Sequence, residues 1–243
     1  MRKYYILAII AAFVLLLISL SSIGMLIHWL FAPKFTPIPS KLLLPINGEI
    51  IKNYGDFTIS FNTTLRLANY AVYSLEEESE LECRGKYWKK DVGLNTYDTN
   101  VLKGIKNFAR GHLVPAVDID NTCSTYVMSN MVPMIHNGFN NGLWKSLEYY
   151  IRDNYSGFDI VTVPEYDSSN KICNSKDVCV NVPTGLYKII VNGNKIICSL
   201  YLPHRKYDTG SKLNDYVICG KLPYMFAANA VGKCDESLRL VCK

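Results

Sequence analysis

The chain has 243 residues, 26 Lys and Arg against 21 Asp and Glu, a formal net charge of +5, and 49% hydrophobic residues. No linker divides the residues after about position 46, and no internal repeat or low-complexity tract is present, so solenoids, tandem arrays and a multidomain body are excluded in favour of one core. The charge balance is mildly basic; it is compatible with a polyanionic partner and does not establish one.

From Tyr4 to Pro33 there is no Asp, Glu, Lys or Arg. A bilayer core takes about 20 apolar residues to span, so the stretch is long enough for a transmembrane helix, and it is apolar on every face, unlike a surface helix. We expect residues 1–32 to form a cytoplasmic stub and a retained signal-anchor; a signal peptide cut near Ser19–Gly24 is the alternative. Arg2 and Lys3 before the span and Lys34 and Lys41 after it give only a slight orientation bias. Pro33, Pro37, Pro39 and Pro45 mark residues 33–50 as a stiff stalk. Residues 51–243 are expected to form the body.

All eight cysteines follow the apolar segment, at 83, 123, 173, 179, 198, 219, 234 and 242. An even count behind a secretory-type start points to disulfides and an oxidising compartment, and the sequons at Asn62 and Asn154 agree. The body is therefore expected to be extracellular or lumenal, membrane-anchored or secreted. Zinc is the competing use of the cysteines, but Cys173 and Cys179 lack the short spacing and the paired histidines of a zinc site.

Within the body, Phe57–Phe61 alternates like a half-buried strand, and Leu67–Leu75 reads as a second one. Tyr126–Ser129 reads as a short strand. Residues 143, 144, 147, 150 and 151 recur at helical spacing within Gly142–Tyr155. Phe158–Val163, Leu186–Asn192 and Lys195–Leu202 read as Ile- and Val-rich buried strands, the last two joined at Asn192-Gly193 as a hairpin. The fold class is α+β: a central antiparallel sheet with packed helices and a site at a strand–helix junction.

Ala109-Arg110-Gly111-His112-Leu113-Val114-Pro115 and Asn140-Asn141-Gly142-Leu143-Trp144-Lys145-Ser146-Leu147-Glu148 carry the chemistry. Within about forty residues they offer an imidazole, an amide, a carboxylate and a guanidinium, the groups needed to hydrolyse a phosphodiester around one hard cation. The first stretch resembles the Asp-Arg-Gly-His signature of the DNA/RNA non-specific endonucleases, the ββα-metal nucleases. The second resembles that family's metal-ligand helix. Tyr70–Tyr73, Val182–Ile190 and Leu202-Pro203 extend the resemblance over about 55–205, leaving the last forty residues unmatched.

The resemblance implies a metal-dependent endonuclease, indifferent to the sugar, acting on DNA and RNA. His112 would be the general base; an imidazole with its ordinary pKa near 6.5 suits that task, and activity would fall below about pH 6. Asn140 would hold Mg²⁺, or Mn²⁺, through one amide oxygen and a water shell, since Mg²⁺ keeps most of its waters; a helix cap is the structural alternative. Glu148, about two helical turns further on, would orient a metal-bound water, or else pair with Arg152 on the surface. Arg110 and Arg152 would bind substrate phosphate and neutralise the transition state. Arg66 lies near another family arginine. Gly111 suggests a tight backbone or a close approach to phosphate. Trp144 is expected in the core, and His28, His136 and His204 in structural or surface roles.

Three positions depart from the pattern: Ala109 stands where the family usually has Asp, Met134 where it often has Gln, and Val163 where it has Gly. The loss of a carboxylate at Ala109 bears on metal binding and leaves two other readings open: a catalytically silent ectodomain that binds nucleic acid or a protein partner, and a phosphodiesterase of small nucleotides. A homodimer is compatible with the sequence.

Overall fold

The computed structural model describes residues 46–75, 83, 88, 89 and 91–226. The expected membrane segment, most of the stalk, Cys234 and Cys242 lie outside the described residues. Among those described, no helix is long and apolar enough to cross a membrane.

The framework is a seven-stranded antiparallel sheet in the order β1-β2-β3-β8-β9-β10-β11, with β1 Glu49–Asn53, β2 Phe57–Asn62, β3 Leu67–Ser74, β8 Asp159–Cys173, β9 Cys179–Asn192, β10 Lys195–Pro203 and β11 Ile218–Cys219. β2 is buried along nearly its whole length rather than alternately. Its polar positions are tolerated inside because they are bonded: Ser60 Oγ donates to Glu49 Oε2 at 2.6 Å and accepts from Asn69 Nδ2 at 3.0 Å. β8 and β9 run far beyond the expected apolar cores as a long hairpin, and a disulfide between Cys173 and Cys179 closes its tip, which removes the zinc alternative there. Cys83 and Cys123 form a second bridge, and Cys198 and Cys219 are disulfide-bonded as well. Asn192 pairs with Lys195, so the tight turn is Gly193-Asn194, one residue later than the dipeptide suggested; Gly193 supplies the positive φ (+56°) that such a turn requires.

Strand alternation divides the sheet into two apolar faces. Tyr73, Ile160, Leu186, Ile190, Leu200 and Leu202 point to the larger core; Val72, Val161, Val163, Tyr187, Ile189 and Tyr201 point to a smaller one on the other side. The larger core packs against a ββα unit. β4 (Phe108–His112) pairs antiparallel with β5 (Met131–Ile135), from Phe108↔Ile135 to His112↔Met131. Two short segments, β6 (Asn137–Gly138) and β7 (Asn141–Gly142), then cross in parallel and lead into helix α1 (Leu143–Tyr155). The buried positions of α1 — Leu143, Trp144, Leu147, Ile151, Arg152 and Tyr155 — form one stripe at helical spacing.

Two expectations are corrected. The class is α+β, but among the described residues α1 is the single α-helix; short 3₁₀ turns take the place of the other packed helices. Tyr126–Ser129 is not a strand: Val127 makes one isolated bridge to Lys89, and Met128–Asn130 is a 3₁₀ turn. The segment is instead held at its ends: the Asn130 side chain bonds to Val114 N, Val114 O and Thr125 O at 3.0–3.1 Å.

Candidate active site

β4 ends on His112, and Arg110 and His112, two residues apart, leave the same face of the strand. Gly111 on the opposite face is required by packing: a Cβ there would collide with the Met134 side chain. The backbone after His112 is clamped. Leu113 N donates to Asn130 O at 3.0 Å and Thr162 Oγ1 donates to Leu113 O at 2.8 Å. On the other side, the Asn140 amide N–H donates to Ile135 O and Trp144 N–H to Phe139 O. The helix cap is Gly142, not Asn140, so the Asn140 side chain is not consumed in capping.

These elements wall a cleft of about 490 Å³, lined among others by His112, Tyr126, His136, Asn140, Asn141, Lys145, Glu148 and Arg152. Three of the five sequence-derived candidates, His112, Asn140 and Glu148, meet here, together with a fourth, Arg152. The fifth, Arg110, is not among the lining residues; its guanidinium lies 4.0 Å from the Trp88 ring centroid, a cation–π stack. Arg66 donates to the carbonyls of Asn95 and Thr96 and does not line the cleft.

His112 sits in an aromatic corner, with Tyr126 edge-on at 5.0 Å and Trp88 at 5.7 Å between ring centroids. Its Nε2 is buried and has no hydrogen-bond partner among the described residues. Burial and then the Arg110 cation push its pKa down to about 4, so the imidazole is neutral across the physiological range. Burial raises the Glu148 carboxyl well above the usual carboxylate range, with Asp118 adding to the rise and Lys188, Arg152 and the Trp144 indole opposing it. Arg152 is not on the surface, where the sequence reading placed a pair with Glu148. It is buried, and its Nε and Nη2 both donate to Asp118 Oδ1 at 2.9 and 2.6 Å.

Trp88, Tyr126, Asp118 and Lys188 are parts of the site that sequence reasoning did not single out. His204 is structural, as expected: Ile135 N–H donates to its Nε2 at 2.8 Å, which leaves the proton on Nδ1, 2.8 Å from Pro183 O. His136 is exposed on the cleft rim.

Among the described residues, no group of three or more His, Cys, Asp or Glu side chains could hold a metal ion. What the cleft offers is the Asn140 amide and the Glu148 carboxyl, both in its lining. That oxygen donor set fits a hard cation that keeps most of its waters, and does not fit a metal needing a full protein cage.

A neutral imidazole, an amide, a carboxyl and a guanidinium around one open cleft, carried by a ββα unit on an antiparallel sheet, are the groups that suit a phosphodiester-hydrolase type of site. Residues 41–219 match the DNA/RNA non-specific endonuclease family, and the chain belongs to that family; it is a nuclease. Nuclease C1 of Cunninghamella echinulata var. echinulata is 27% identical, over 71% of this chain and 83% of its own. The mitochondrial nuclease of Saccharomyces cerevisiae is 29% identical over 46% of this chain, and the nuclease of Serratia marcescens 24% identical over 57%; the chain spans only 42% and 57% of their lengths. A chain in the crystal structure of the EndoG/EndoGI complex shares the fold, with a TM-score of 0.57, 21% identity, and coverage of 69% of this chain and 79% of that one.

Proposed function

We propose that the chain is a metal-dependent, sugar-non-specific endonuclease that hydrolyses DNA and RNA outside the cytoplasm. The single observation that carries this reading is that His112, Asn140, Glu148 and Arg152 line one cleft, with the His112 imidazole held neutral. The His112 imidazole takes a proton from the attacking water. Arg152, held rigid by Asp118, sets a guanidinium against the charge that develops on the phosphate, and Arg110 adds to the positive field along the same strand face. Asn140, aided by Glu148, would hold Mg²⁺ or Mn²⁺, which when bound supplies charge stabilisation at the phosphate oxygens. Contacts of this kind address phosphate and sugar, so base sequence should matter little.

The disulfides support an oxidising compartment for the body, and the uncharged stretch from Tyr4 to Phe31 supports tethering to a membrane. The second reading, a silent binding ectodomain, is favoured by Ala109. Against it, Ala109 pairs with Met134 and alternates to the strand face opposite His112, so the change leaves His112, Asn140 and Glu148 in place.

The test is to incubate the full chain, disulfides intact, with plasmid DNA and with total RNA, with Mg²⁺ or with EDTA, beside His112→Ala. Metal-dependent loss of both substrates that the substitution abolishes supports the reading. Intact substrates with both Mg²⁺ and Mn²⁺, from folded protein, overturn it in favour of the binding ectodomain.

A further inference from the structure

Lys188 is the most improbable residue in the core. It lies in β9 between Leu186 and Ile190 and is 0% exposed, on the sheet face that packs against the ββα unit. A buried ammonium is costly unless its protons are bonded and its charge is balanced. Both conditions are met. Its Nζ donates to Thr162 Oγ1 at 2.9 Å, to Tyr73 Oη at 3.0 Å and to Leu113 O at 3.2 Å, and lies 5.3 Å from the Trp144 ring centroid. The charged groups that face it from the packed elements are Glu148 and Arg152 on α1 and Asp118 on the turn after β4.

Each of these contacts leads to a site residue. The Leu113 carbonyl follows directly on His112, and Thr162 donates to that same carbonyl. Trp144 is one helical turn before Glu148 on the same face of α1. Tyr73 donates to Asp118 Oδ2 at 2.9 Å, and Asp118 holds Arg152. β3, β8, β9, the end of β4 and α1 thus converge on one cation beneath the cleft floor. Fold stability alone does not call for such a device, because an apolar side chain of similar volume commonly serves a core as well or better.

We propose that Lys188 is a positioning residue for phosphodiester hydrolysis: by donating to the Leu113 carbonyl, to Thr162 and to Tyr73, it fixes the end of β4 that carries His112 relative to the α1 face that carries Glu148 and Arg152. The proposal rests on the nuclease reading. Lys188 touches no substrate, so its loss should lower kcat and leave KM nearly unchanged, whereas loss of a phosphate-contacting cation should raise KM.

The test compares full-length wild type, His112→Ala, Lys188→Met and the milder pair Thr162→Val and Tyr73→Phe, which keep the lysine and nearly the same volume. Each is measured for kcat and KM on DNA with Mg²⁺ and for thermal unfolding. Removal of an outer-shell partner typically costs about 10- to 100-fold in activity. We expect a kcat loss of that order in Lys188→Met, a smaller one in the other two, unchanged KM, and an unfolding midpoint that does not track the loss. If Lys188→Met does not fold, the pair carries the test. Folded variants with wild-type kcat, or a loss that appears only in KM, would overturn the proposal and leave the nuclease reading standing. An inactive wild type would overturn both.

Discussion

Arg152 and Asp118 are joined by two hydrogen bonds to a single carboxylate oxygen, Nε at 2.9 Å and Nη2 at 2.6 Å, while the other oxygen accepts from Tyr73 at 2.9 Å. The pair is buried, with Asp118 at 1% and Arg152 at 9% exposure. The geometry locks a side chain that would otherwise lose several rotamers on meeting a phosphate. Removing one partner from a buried pair strands the other charge, at a cost of roughly 3–5 kcal/mol. Asp118→Asn is therefore expected to lower stability by that order in urea unfolding and to reduce the nuclease rate as well. An Asp118→Asn protein of wild-type stability would show that Arg152 is satisfied without the carboxylate.

The pH profile should differ from that of an ordinary histidine base. Burial and the Arg110 cation disfavour the imidazolium and push the His112 pKa down to about 4. A base works when neutral, so lowering its pKa extends activity to more acid pH. This differs from the sequence-based expectation of a loss below about pH 6, and the measured profile decides between them. We expect the limb of kcat/KM on DNA that belongs to the imidazole to lie towards about pH 4, while the Glu148 carboxyl, raised by burial to about 7, adds its own change between about pH 8 and 5. Arg110→Met removes the cation and should move that limb to higher pH. A wild-type limb with its midpoint near the ordinary imidazole value would show that His112 is hydrated and that the aromatic corner does not govern its protonation.

What the sequence made legible was local, and what it concealed was long-range. His112, Asn140 and Glu148 were legible as candidates because two contiguous stretches hold them, with Arg152 four residues beyond the second, and the fold brings all four to one cleft. Trp88 and Tyr126, which flank His112, belong to neither stretch, and a single aromatic residue gives no sign of what it will face. Lys188 was hidden for the opposite reason. It stands in the Val182–Ile190 stretch that carries part of the resemblance, but a strand's sequence does not say which face a lysine takes, and only the pairing of β9 with β8, together with α1, shows that it points inward. The expected strand at Tyr126–Ser129 is a bridge and a 3₁₀ turn instead, beside an Asn130 side chain tied to the backbone of Val114 and Thr125, a long-range contact that local propensity does not register.

Gly111 tests a packing claim against a substrate-approach claim. A Cβ at this position meets the Met134 side chain, not a cleft wall. Overpacking a close-packed contact costs about 1–3 kcal/mol. Gly111→Ala should be destabilised by that order on its own and by clearly less in a Met134→Ala background, because the shared methionine couples the two positions. The double-mutant cycle is read by urea unfolding. Additive costs would mean that the glycine is needed for something other than Met134.

His204 supplies the last prediction, on acid stability. It bridges β5 to β9: Ile135 N–H donates to Nε2 and Pro183 O lies 2.8 Å from Nδ1, with the Phe139 ring edge-on at 4.4 Å. Both nitrogens are used by the neutral tautomer, and burial lowers the pKa from 6.5 to about 4, against the raising effect of the Pro183 carbonyl. A folded pKa below the unfolded one means that the native state binds fewer protons between those two values. The contribution is therefore complete above about pH 6.5 and is lost as pH falls towards about 4, worth roughly 3 kcal/mol at full extent. His204→Gln removes this titration and should flatten the decline of stability over that window, while lowering stability at neutral pH by about 1–3 kcal/mol if the Ile135 N–H loses its acceptor. Urea unfolding of both proteins from pH 7.5 to 4 decides it. Parallel stability curves would mean that His204 already carries a proton in the native fold and that the Ile135 bond is not made to its Nε2.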